Sequence, residues 1–216
     1  MELYYNQFSP PSRAVRMTAE YLGLSLKLNC IDTLKGEQLT QEFETINSAK
    51  KIPILVDGDL KLAESRAIMI YLVDKYGKNN SRILPSDPCG RALVNLALHF
   101  DIGKLFRSIE QYYFPIIFKL EETPSAERYE KLKEAFGILD RMVESQDYVA
   151  GRNLTIADIS IITTVTTAEA FGFNIIKYKN VMKWIDRVKV AIPGYKKINV
   201  EGIEMLKKRL SGQMEN

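Results

Sequence analysis

Two serines in the stretch FSPPSRAV, residues 8–15, occupy positions at which sulfur chemistry is expected. Ser9 and Ser12 are separated by two prolines and lie where an apparent first strand ends and an apparent first helix begins. A C-x-x-C pair at such a junction would exchange thiols and disulfides, because the start of a helix lowers the pKa of a thiol. The chain has hydroxyls there instead, so it carries no thiolate of its own for that exchange.

The elements that must position these serines alternate between strand and helix over the first 80 residues. Period-2 patterns and apolar runs predict strands at ELYYNQ, LSLKLNCI, IPILVDG and LKLA. Helical spacing predicts helices over residues 12–22, 41–46 and 64–76. The order is β-α-β, then α, then β-β-α. The last two strands must be antiparallel, because the connection Asp57-Gly58-Asp59 is too short for a parallel crossover. The predicted fold is therefore an α/β domain with a mixed four-stranded sheet.

Every long segment after residue 88 carries helical periodicity. The predicted helices cover residues 91–118, bent or ended near Pro115, then 126–144, a segment that starts at NLTIADI, 181–191 and 200–210. In NLTIADI, Thr155 can cap the helix and Asp158 can answer three residues later, although a chance S/T-x-x-D spacing is the alternative. We predict an α/β domain over residues 1–78, a turn-rich linker over 79–88 and an all-helical domain over 89–216.

Composition and charge exclude several classes of function. The chain has 216 residues, 46% of them hydrophobic, which is enough for a sizeable core. A net charge of +3 gives no general affinity for polyanions, so we expect no nucleic acid partner. Cys30 and Cys89 are too few for a disulfide framework or a metal cluster, and we interpret both as structural thiols. Because no leader pattern and no apolar run of about 18 residues is present, we expect a cytoplasmic protein without a membrane partner.

Several strings together resemble those of a cytosolic glutathione S-transferase over essentially the whole chain. They are SPPSR at the first helix, IP before the third strand and ESRAI at the third helix, on a thioredoxin-like half followed by a helical half. ESRAIMIYLVDKYGK and LTIAD, with serine at the active position, are similar to the insect delta and epsilon classes. RALVNLALHFDIGKLF leans toward epsilon and SRAI toward delta. The resemblance implies a homodimeric enzyme with glutathione as co-substrate, without a metal or a nucleotide.

The resemblance explains the missing sulfur, because a transferase needs only to hold the sulfur of glutathione as a thiolate. Ser9 would donate a hydrogen bond to that sulfur, helped by the positive end of the first helix. Lowering a thiol pKa of about 8.5 by roughly two units corresponds to about 2.7 kcal/mol, which one charge-assisted hydrogen bond and a helix dipole can supply. We interpret Ser12 as a cap or first-turn residue. Tyr4 and Tyr5 come too early in the chain, because the tyrosine of tyrosine-using transferases would fall at Gln7.

The resemblance also implies the residues that bind the rest of glutathione, which carries an ammonium and two carboxylates. Glu64 would bind the ammonium, while Ser65 and backbone N–H groups at the third helix would bind the γ-glutamyl carboxylate, with Arg66 as an added cation. Ile52 would pair its main chain with the cysteinyl amide, ahead of a cis bond to Pro53. Taken alone, E-S-R is also a good helix start, and a trans proline at an edge strand also fits I-P.

Three positions depart from the family pattern. Delta-like chains read N-P-Q-H-x-I-P, with the histidine on the glycyl carboxylate of glutathione, whereas this chain reads N-S-A-K-K-I-P. Lys50, with Lys51 beside it, would supply the positive charge without pH switching near neutrality. Gln38 replaces a second family histidine and Ala63 replaces a tryptophan. We expect glutathione to bind with altered affinity.

A hydrophobic second-substrate site is expected between the two halves. Its predicted residues have apolar or aromatic side chains near the first helix, on the long helix and at the C-terminal helix: Phe8, Pro11, Leu105, Phe106, Tyr112, Tyr113, Ile116, Phe118, Leu206 and Leu210. An aromatic stripe at helical spacing is more often core, so about half of the residues on the long helix should be packing residues. His99, the only histidine, is interpreted as structural or pocket-lining rather than as a base.

The predicted function is conjugation of glutathione to hydrophobic electrophiles, with reduction of organic hydroperoxides as an extension. A transferase-fold carrier of lipophilic ligands with weak or no conjugating activity is the alternative, motivated by Lys50, Gln38 and Ala63. A thiol-disulfide oxidoreductase is disfavoured, because neither position 9 nor position 12 is a cysteine.

Overall fold

The computed structural model describes residues 1–77 and 82–212, and the chain forms two compact units. The first unit comprises Met1–Ser81 together with Ile192–Asn216, and the second comprises Arg82–Ala191. Residues 78–81, which include the predicted end of the first domain and the start of the linker, lie outside the described residues. The predicted segments 1–78, 79–88 and 89–216 were drawn from composition and periodicity, and they stay a prediction.

The sheet of the first unit has four strands in the order β2-β1-β3-β4. The strands are β1 (Glu2–Tyr5), β2 (Lys27–Cys30), β3 (Ile54–Asp57) and β4 (Leu60–Leu62). β1 is parallel to β2 and antiparallel to β3, and β3 is antiparallel to β4. Leu3 and Leu55 lie opposite each other on β1 and β3, and both are fully buried. The predicted mixed four-stranded sheet, with its antiparallel hairpin, is confirmed.

The N-terminal part of the first unit also contains three helices and a 3₁₀ turn. They are α1 (Pro10–Tyr21), the turn Glu37–Leu39, α2 (Gln41–Ile46) and α3 (Ser65–Tyr76). α1 packs against α3. Val15 and Met17 on α1, and Ile68 and Met69 on α3, are fully buried. Burying each of these side chains contributes about 1.5–3 kcal/mol, so the first helix is anchored along its length.

The C-terminal segment belongs to the first unit because it packs against α1. It forms a π-helical turn at Lys196–Val200 and then α9 (Glu201–Leu210). The fully buried Arg13 on α1 donates from Nη1 to the side-chain oxygen of Asn199 at 2.9 Å, and burial lowers the pKa of this guanidinium to about 9. A Cβ at Gly202 would lie 2.7 Å from the carbonyl oxygen of Gln7, so only glycine fits here without displacing the chain.

The second unit is built from helices. They are α4 (Pro88–Phe100), α5 (Phe106–Ile117), α6 (Ala126–Met142), α7 (Ile156–Ala170) and α8 (Lys179–Ala191). α4 packs on α7, α5 on α6, and α8 on both α6 and α7. α7 is buried on nearly all sides, which agrees with the near absence of charged residues in IADISIITTVTTAEA. The helical half of the predicted fold class is therefore confirmed.

The helix predicted over residues 91–118 differs from the observed one in two respects. It begins at Pro88, because Asp87 accepts the N–H of Gly90 at 2.8 Å and proline suits the first helical position. A π-helical turn at Asp101–Leu105 separates α4 from α5. Such a turn adds one residue to the helical repeat, and the spacing of apolar residues does not reveal it. Pro115 lies inside α5, two residues before its end.

The buried carboxylate of Asp158 joins three segments of the second unit. It accepts hydrogen bonds at 2.9 Å from the backbone N–H of Thr155, the backbone N–H of Val149 and the indole N–H of Trp184. The first of these is the capping interaction predicted from NLTIADI, and the other two are long-range contacts. Burial raises the pKa of the Asp158 carboxyl, and the hydrogen bonds from the three partners oppose that rise.

We expect replacement of Asp158 by alanine to lower the free energy of unfolding by about 3 kcal/mol or more, because several buried donors lose their acceptor. Urea denaturation followed by far-ultraviolet circular dichroism measures this loss. Asp147→Ala is the control, since its carboxylate is largely exposed and lies 3.5 Å from Arg187. An exposed pair of this kind is worth at most about 1 kcal/mol. Equal losses in the two variants would contradict the assignment of Asp158 as the central acceptor.

Candidate active site

Three strand termini lie at the same end of the sheet, and a candidate site residue lies near each of them in the sequence. Because β1 is antiparallel to β3 and β3 is antiparallel to β4, the end of β1, the start of β3 and the end of β4 lie at the same end of the sheet. Ser9 follows β1, Pro53 precedes β3 and Glu64 follows β4. Residues that are far apart in the sequence are therefore brought to one end of the sheet by its topology.

Asn6 fixes the loop between β1 and α1. Its side chain donates to the carbonyl of Ile31 at 2.8 Å and accepts the N–H of Phe8 at 2.8 Å. Its carbonyl oxygen accepts the N–H of Ser9 at 3.1 Å. Asn6 is only 3% exposed, so these bonds form away from competing water. The residue that begins the helix is thus held from the strand side.

Ser9 is the N-cap residue of α1, and its hydroxyl oxygen already accepts a bond. The oxygen accepts the N–H of Ser12 at 3.4 Å, and the carbonyl of Ser9 accepts the N–H of Arg13 at 3.0 Å. Pro10 and Pro11 have no N–H. The first four residues of α1 therefore have no unbonded backbone N–H, and the O–H of the half-buried Ser9 is a donor that the helix start can still offer.

The competing residues near the first helix have other roles in the structure. Ser12 is fully buried and accepts a backbone N–H of the preceding loop at 3.4 Å, which agrees with its interpretation as a structural residue. The ring of Tyr4 packs edge-on against Phe43, with 6.3 Å between centroids. The guanidinium of Arg16 lies 5.0 Å from the centroid of the Tyr5 ring.

Asn47 shapes the segment that leads into β3. Its side chain accepts the N–H of Ala49 at 3.1 Å and donates to the carbonyl of Lys51 at 2.8 Å. Its carbonyl accepts the N–H of Lys50 at 3.0 Å. The peptide bond of Ile52–Pro53 is cis, as the family resemblance implies. The segment is therefore held by one asparagine immediately before the cis bond.

Lys50 combines an uncommon backbone conformation with an ionic partner. Its φ angle is 53°, a region that few non-glycine residues occupy. Its ammonium nitrogen lies 3.0 Å from Oε2 of Glu44, and the side chains are 35% and 49% exposed. The side chain of the neighbouring Lys51 is exposed. The two lysines of K-K-I-P thus have different surroundings.

Glu64 and Ser65 form the start of α3. Glu64 has φ 65° and ψ 106°, and holding a non-glycine residue in such a region costs about 1–3 kcal/mol. No side chain caps α3, so backbone N–H groups at its start are available to an anion. Ser65 is 2% exposed, and its hydroxyl oxygen accepts a bond from Nη1 of Arg66 at 3.1 Å. A carboxylate, a hydroxyl and a guanidinium therefore stand together at an uncapped helix end.

Gln38 lies in the 3₁₀ turn that follows β2. Its side-chain nitrogen donates to the carbonyl of Thr33 at 3.2 Å, while its side-chain oxygen is buried and has no hydrogen-bond partner among the residues that the structure describes. Leaving a buried acceptor without a donor costs about 1–3 kcal/mol. An N–H group of a ligand would remove that cost.

The predicted apolar site residues of the first unit lie in two segments that are far apart in the sequence, one at the start of α1 and one on α9. Phe8 and Pro11 flank Ser9 and are half-buried. On α9, Leu206 is buried and Leu210 is 42% exposed. The apolar surface next to Ser9 is thus supplied by its immediate neighbours in the chain.

The predicted apolar residues of the second unit range from core to surface. Leu105 and Phe106 are buried, Tyr112, Tyr113 and Ile116 are half-buried, and Phe118 is 51% exposed. The rings of Tyr112 and Tyr113 lie 4.7 Å apart in an edge-to-face arrangement, within a larger aromatic cluster. Burial raises the pKa of the Tyr113 phenol above its ordinary value.

Other residues with possible chemistry are placed as follows. His99 is exposed on α4, with Nδ1 2.7 Å from the carbonyl oxygen of Asn95. Cys30 and Cys89 are free and exposed. Within residues 1–77 and 82–212, no group of histidine, cysteine and acidic side chains is arranged to hold a metal ion. In the same ranges, no helix has both the length and the apolar character of a membrane span.

Three residues of this region were missed by the sequence analysis. Asn6 and Asn47 each accept the N–H of the residue two positions later, which is the local bond of an Asx turn, and an asparagine just before a predicted turn could have signalled it. Glu44 pairs with a lysine six residues away across a loop, a spacing for which no helical rule exists.

Comparisons with known proteins identify similar chains. The model of the glutathione S-transferase N-terminal domain matches residues 3–80, and that of the C-terminal domain matches residues 105–189. The chain is 43% identical to glutathione S-transferase D7 of Drosophila melanogaster, over 97% of this chain and 93% of that protein. A delta-class glutathione transferase of Nilaparvata lugens is 38% identical, with a TM-score of 0.93 over 99% of both chains. An epsilon-class glutathione S-transferase of the housefly, Musca domestica, is 30% identical, with a TM-score of 0.90 over 98% of this chain and 97% of that chain.

The strained backbone of Glu64 leads to a prediction about stability. Glu64→Gly should be more stable than Glu64→Ala by about 1 kcal/mol, because glycine adopts a positive φ without a steric penalty and alanine does not. Both variants lack the carboxylate, so their difference isolates the backbone. Urea denaturation midpoints measure it, and an alanine variant as stable as the glycine variant would show that this backbone carries no strain.

Proposed function

Because the chain belongs to the glutathione S-transferase family and is similar to its insect delta and epsilon classes, we propose that it conjugates reduced glutathione to hydrophobic electrophiles, with Ser9 holding the sulfur as a thiolate. Members of this family are transferases that use glutathione as co-substrate. The assignment of Ser9 is supported by the hydrogen bonding at the start of α1. Its backbone N–H groups are absent or bonded, and the Ser9 O–H can donate.

Ser9 would act by stabilising charge rather than by removing a proton. Its O–H donates to the glutathione sulfur and keeps its own proton throughout, while the thiol proton leaves to solvent. The bond favours the thiolate over the thiol, and the dipole of α1 adds to it. The thiolate then attacks the electrophilic carbon, the carbon–sulfur bond forms and the leaving group departs with its electron pair. Because both partners are bound, the reaction also gains from proximity.

In the proposed site, the charged groups of glutathione would be bound by residues of opposite charge or by hydrogen-bond donors at one end of the sheet. Glu64 would bind the ammonium, and Ser65 with the uncapped start of α3 would bind the γ-glutamyl carboxylate, with Arg66 nearby. Lys50 and Lys51 would face the glycyl carboxylate at the other end of the tripeptide. The remaining polar contacts in the proposal would be made by the main chain of Ile52 before Pro53 and by the buried side-chain oxygen of Gln38.

The electrophile would contact apolar side chains. Phe8 and Pro11 lie beside Ser9 in the chain, and the aromatic end of α5, with the exposed Phe118, offers apolar surface in the second unit. Reduction of an organic hydroperoxide is an extension of the same chemistry. The thiolate attacks the peroxide oxygen and releases an alcohol, and a second glutathione converts the resulting sulfenic acid to glutathione disulfide and water.

The second candidate function is a carrier of lipophilic ligands. This function is favoured by the ion pair between Lys50 and Glu44, because the carboxylate of Glu44 already neutralises the ammonium that would bind the glycyl carboxylate. A carrier would keep the apolar surface and would not depend on Ser9. The two functions therefore differ in what removal of the Ser9 hydroxyl does.

Ser9→Ala should lower conjugation of a generic aryl halide by at least about tenfold and raise the pKa of the bound glutathione thiol by roughly two units. Ultraviolet titration of thiolate absorbance measures that pKa in the complex. Ser9→Thr is the control, because it keeps both a hydroxyl donor and a helix cap. It should retain most of the activity.

Two results would oppose this proposal. Turnover that survives Ser9→Ala would remove the role assigned to Ser9, and it would favour the carrier if lipophilic ligands still bound. An unshifted thiol pKa in the wild-type complex would show that the protein does not stabilise the thiolate.

A homodimer is also part of the proposal. α4 exposes large apolar side chains, with Leu93 50% exposed and Leu96 62% exposed, and Ile102 in the π-helical turn is 37% exposed. Leu93 and Leu96 are three residues apart and therefore share one side of the helix. Exposed leucines grouped in this way favour burial against another protein surface, and a second copy is the simplest partner.

Leu96→Glu should shift the protein from dimer to monomer in light scattering coupled to size-exclusion chromatography, because it places a charge in the proposed interface. Val190→Glu is the control, since Val190 is 80% exposed on α8 and lies outside that face. The control should keep the wild-type mass. A monomeric wild type, or a Leu96→Glu variant that stays dimeric, would remove this interface from the proposal.

A further inference from the structure

The ion pair between Glu44 and Lys50 stands out because it involves a cation assigned to ligand binding. Glu44 lies on α2, and its carboxylate is 3.0 Å from the ammonium of Lys50. Both side chains are partly exposed, at 49% and 35%, so a solute can reach them. The pair lies within the first unit, and the mechanism proposed above makes no use of Glu44.

Both partners are held by their backbones. The N–H of Lys50 is bonded to Asn47, whose side chain also binds the carbonyl of Lys51, and Lys50 has a positive φ. Glu44 is within a helical turn, where its N–H is bonded to the carbonyl of Thr40. The ammonium and the carboxylate can therefore separate only by rotation of their side chains.

A lysine ammonium has three N–H donors and one unit of charge. In the structure that charge is paired with the carboxylate of Glu44. A ligand carboxylate that binds Lys50 must either displace Glu44 or be placed close to it, and two carboxylates on one ammonium repel each other. The pair therefore opposes the entry of an anionic ligand group.

We propose that Glu44 is an internal competitor for Lys50 and sets the affinity for the glycyl carboxylate of glutathione. The inference rests on the proposed function, since it takes Lys50 as the residue that binds this carboxylate. It makes Glu44 a specificity-determining residue. The competition lowers the advantage of glutathione over an analogue whose glycyl end is uncharged.

Glu44→Gln tests the competition with little change in shape. An exposed ion pair of this kind is modest, so the variant should bind glutathione about twofold to fivefold more tightly by isothermal titration calorimetry. The gain should fall at high salt, where the pair is screened. Glutathione esterified at its glycyl carboxylate should bind the variant and the wild type equally. Glu42→Gln is the matched control, because Glu42 lies on the same helix and the structure does not pair it with Lys50.

A double-mutant cycle ties the effect to Lys50. In the Lys50→Ala background, Glu44→Gln should no longer improve glutathione binding, since the contested ammonium is gone. A gain that persists there, a gain shared by the ester, or a loss of affinity in Glu44→Gln would each overturn the inference. The proposed function fails separately, through turnover that survives Ser9→Ala or through an unshifted thiol pKa in the wild-type complex, and neither result depends on Glu44.

Discussion

The hydrogen bond from the Ser12 N–H to the Ser9 hydroxyl determines what the start of α1 can offer to a ligand. It uses the oxygen of Ser9 as an acceptor and leaves its proton to be donated elsewhere. Two prolines remove the N–H groups that would otherwise point out of the helix end, and Asn6 fixes the residue from the strand side. A helix start that usually presents several backbone donors is thereby reduced to one hydroxyl. In the mechanism that we propose, stabilisation of the glutathione thiolate depends on the position of that single group.

In the proposed site, the sheet extends this local arrangement to accommodate an extended ligand. Antiparallel pairing places the segments after β1, before β3 and after β4 at one end of the sheet. Each segment contributes a different kind of chemical group. The first brings a hydroxyl, the second a cis proline and two lysines, and the third a strained glutamate with an uncapped helix. In the proposed site, Glu64 would bind the ammonium of the tripeptide near one strand end and Lys50 would bind the glycyl carboxylate near another. The strain at Glu64 and the unbonded buried oxygen of Gln38 both cost stability.

Much of the fold could be predicted from the sequence, because strand and helix periods are local properties. The antiparallel hairpin followed from a short turn at Gly58, and the capping interaction at Asp158 followed from its spacing to Thr155, whereas the pairing of β1 with β3 was not predicted. What could not be predicted depends on distance. The bond from Trp184 to Asp158, the contact of Arg13 with Asn199 and the pairing of Glu44 with Lys50 join residues that no periodic rule relates. The π-helical turn at Asp101–Leu105 also escaped, since it inserts one residue without changing the apolar character of the helix.

The packing of the π-helical turn Lys196–Val200 against α1 makes the sheet-bearing unit discontinuous in sequence, with the helical unit inserted between its two segments. This bears on how the chain matures as it leaves the ribosome. The helical unit is contiguous in sequence, and all of its residues are synthesised before Asn199, the partner of Arg13, is added. Until Asn199 has been made, the guanidinium of Arg13, which is buried in the folded protein, lacks the side-chain oxygen that accepts its N–H. The surroundings of α1 are therefore completed only after the whole helical unit has been synthesised, although Ser9 and the strands of the sheet precede that unit in the sequence.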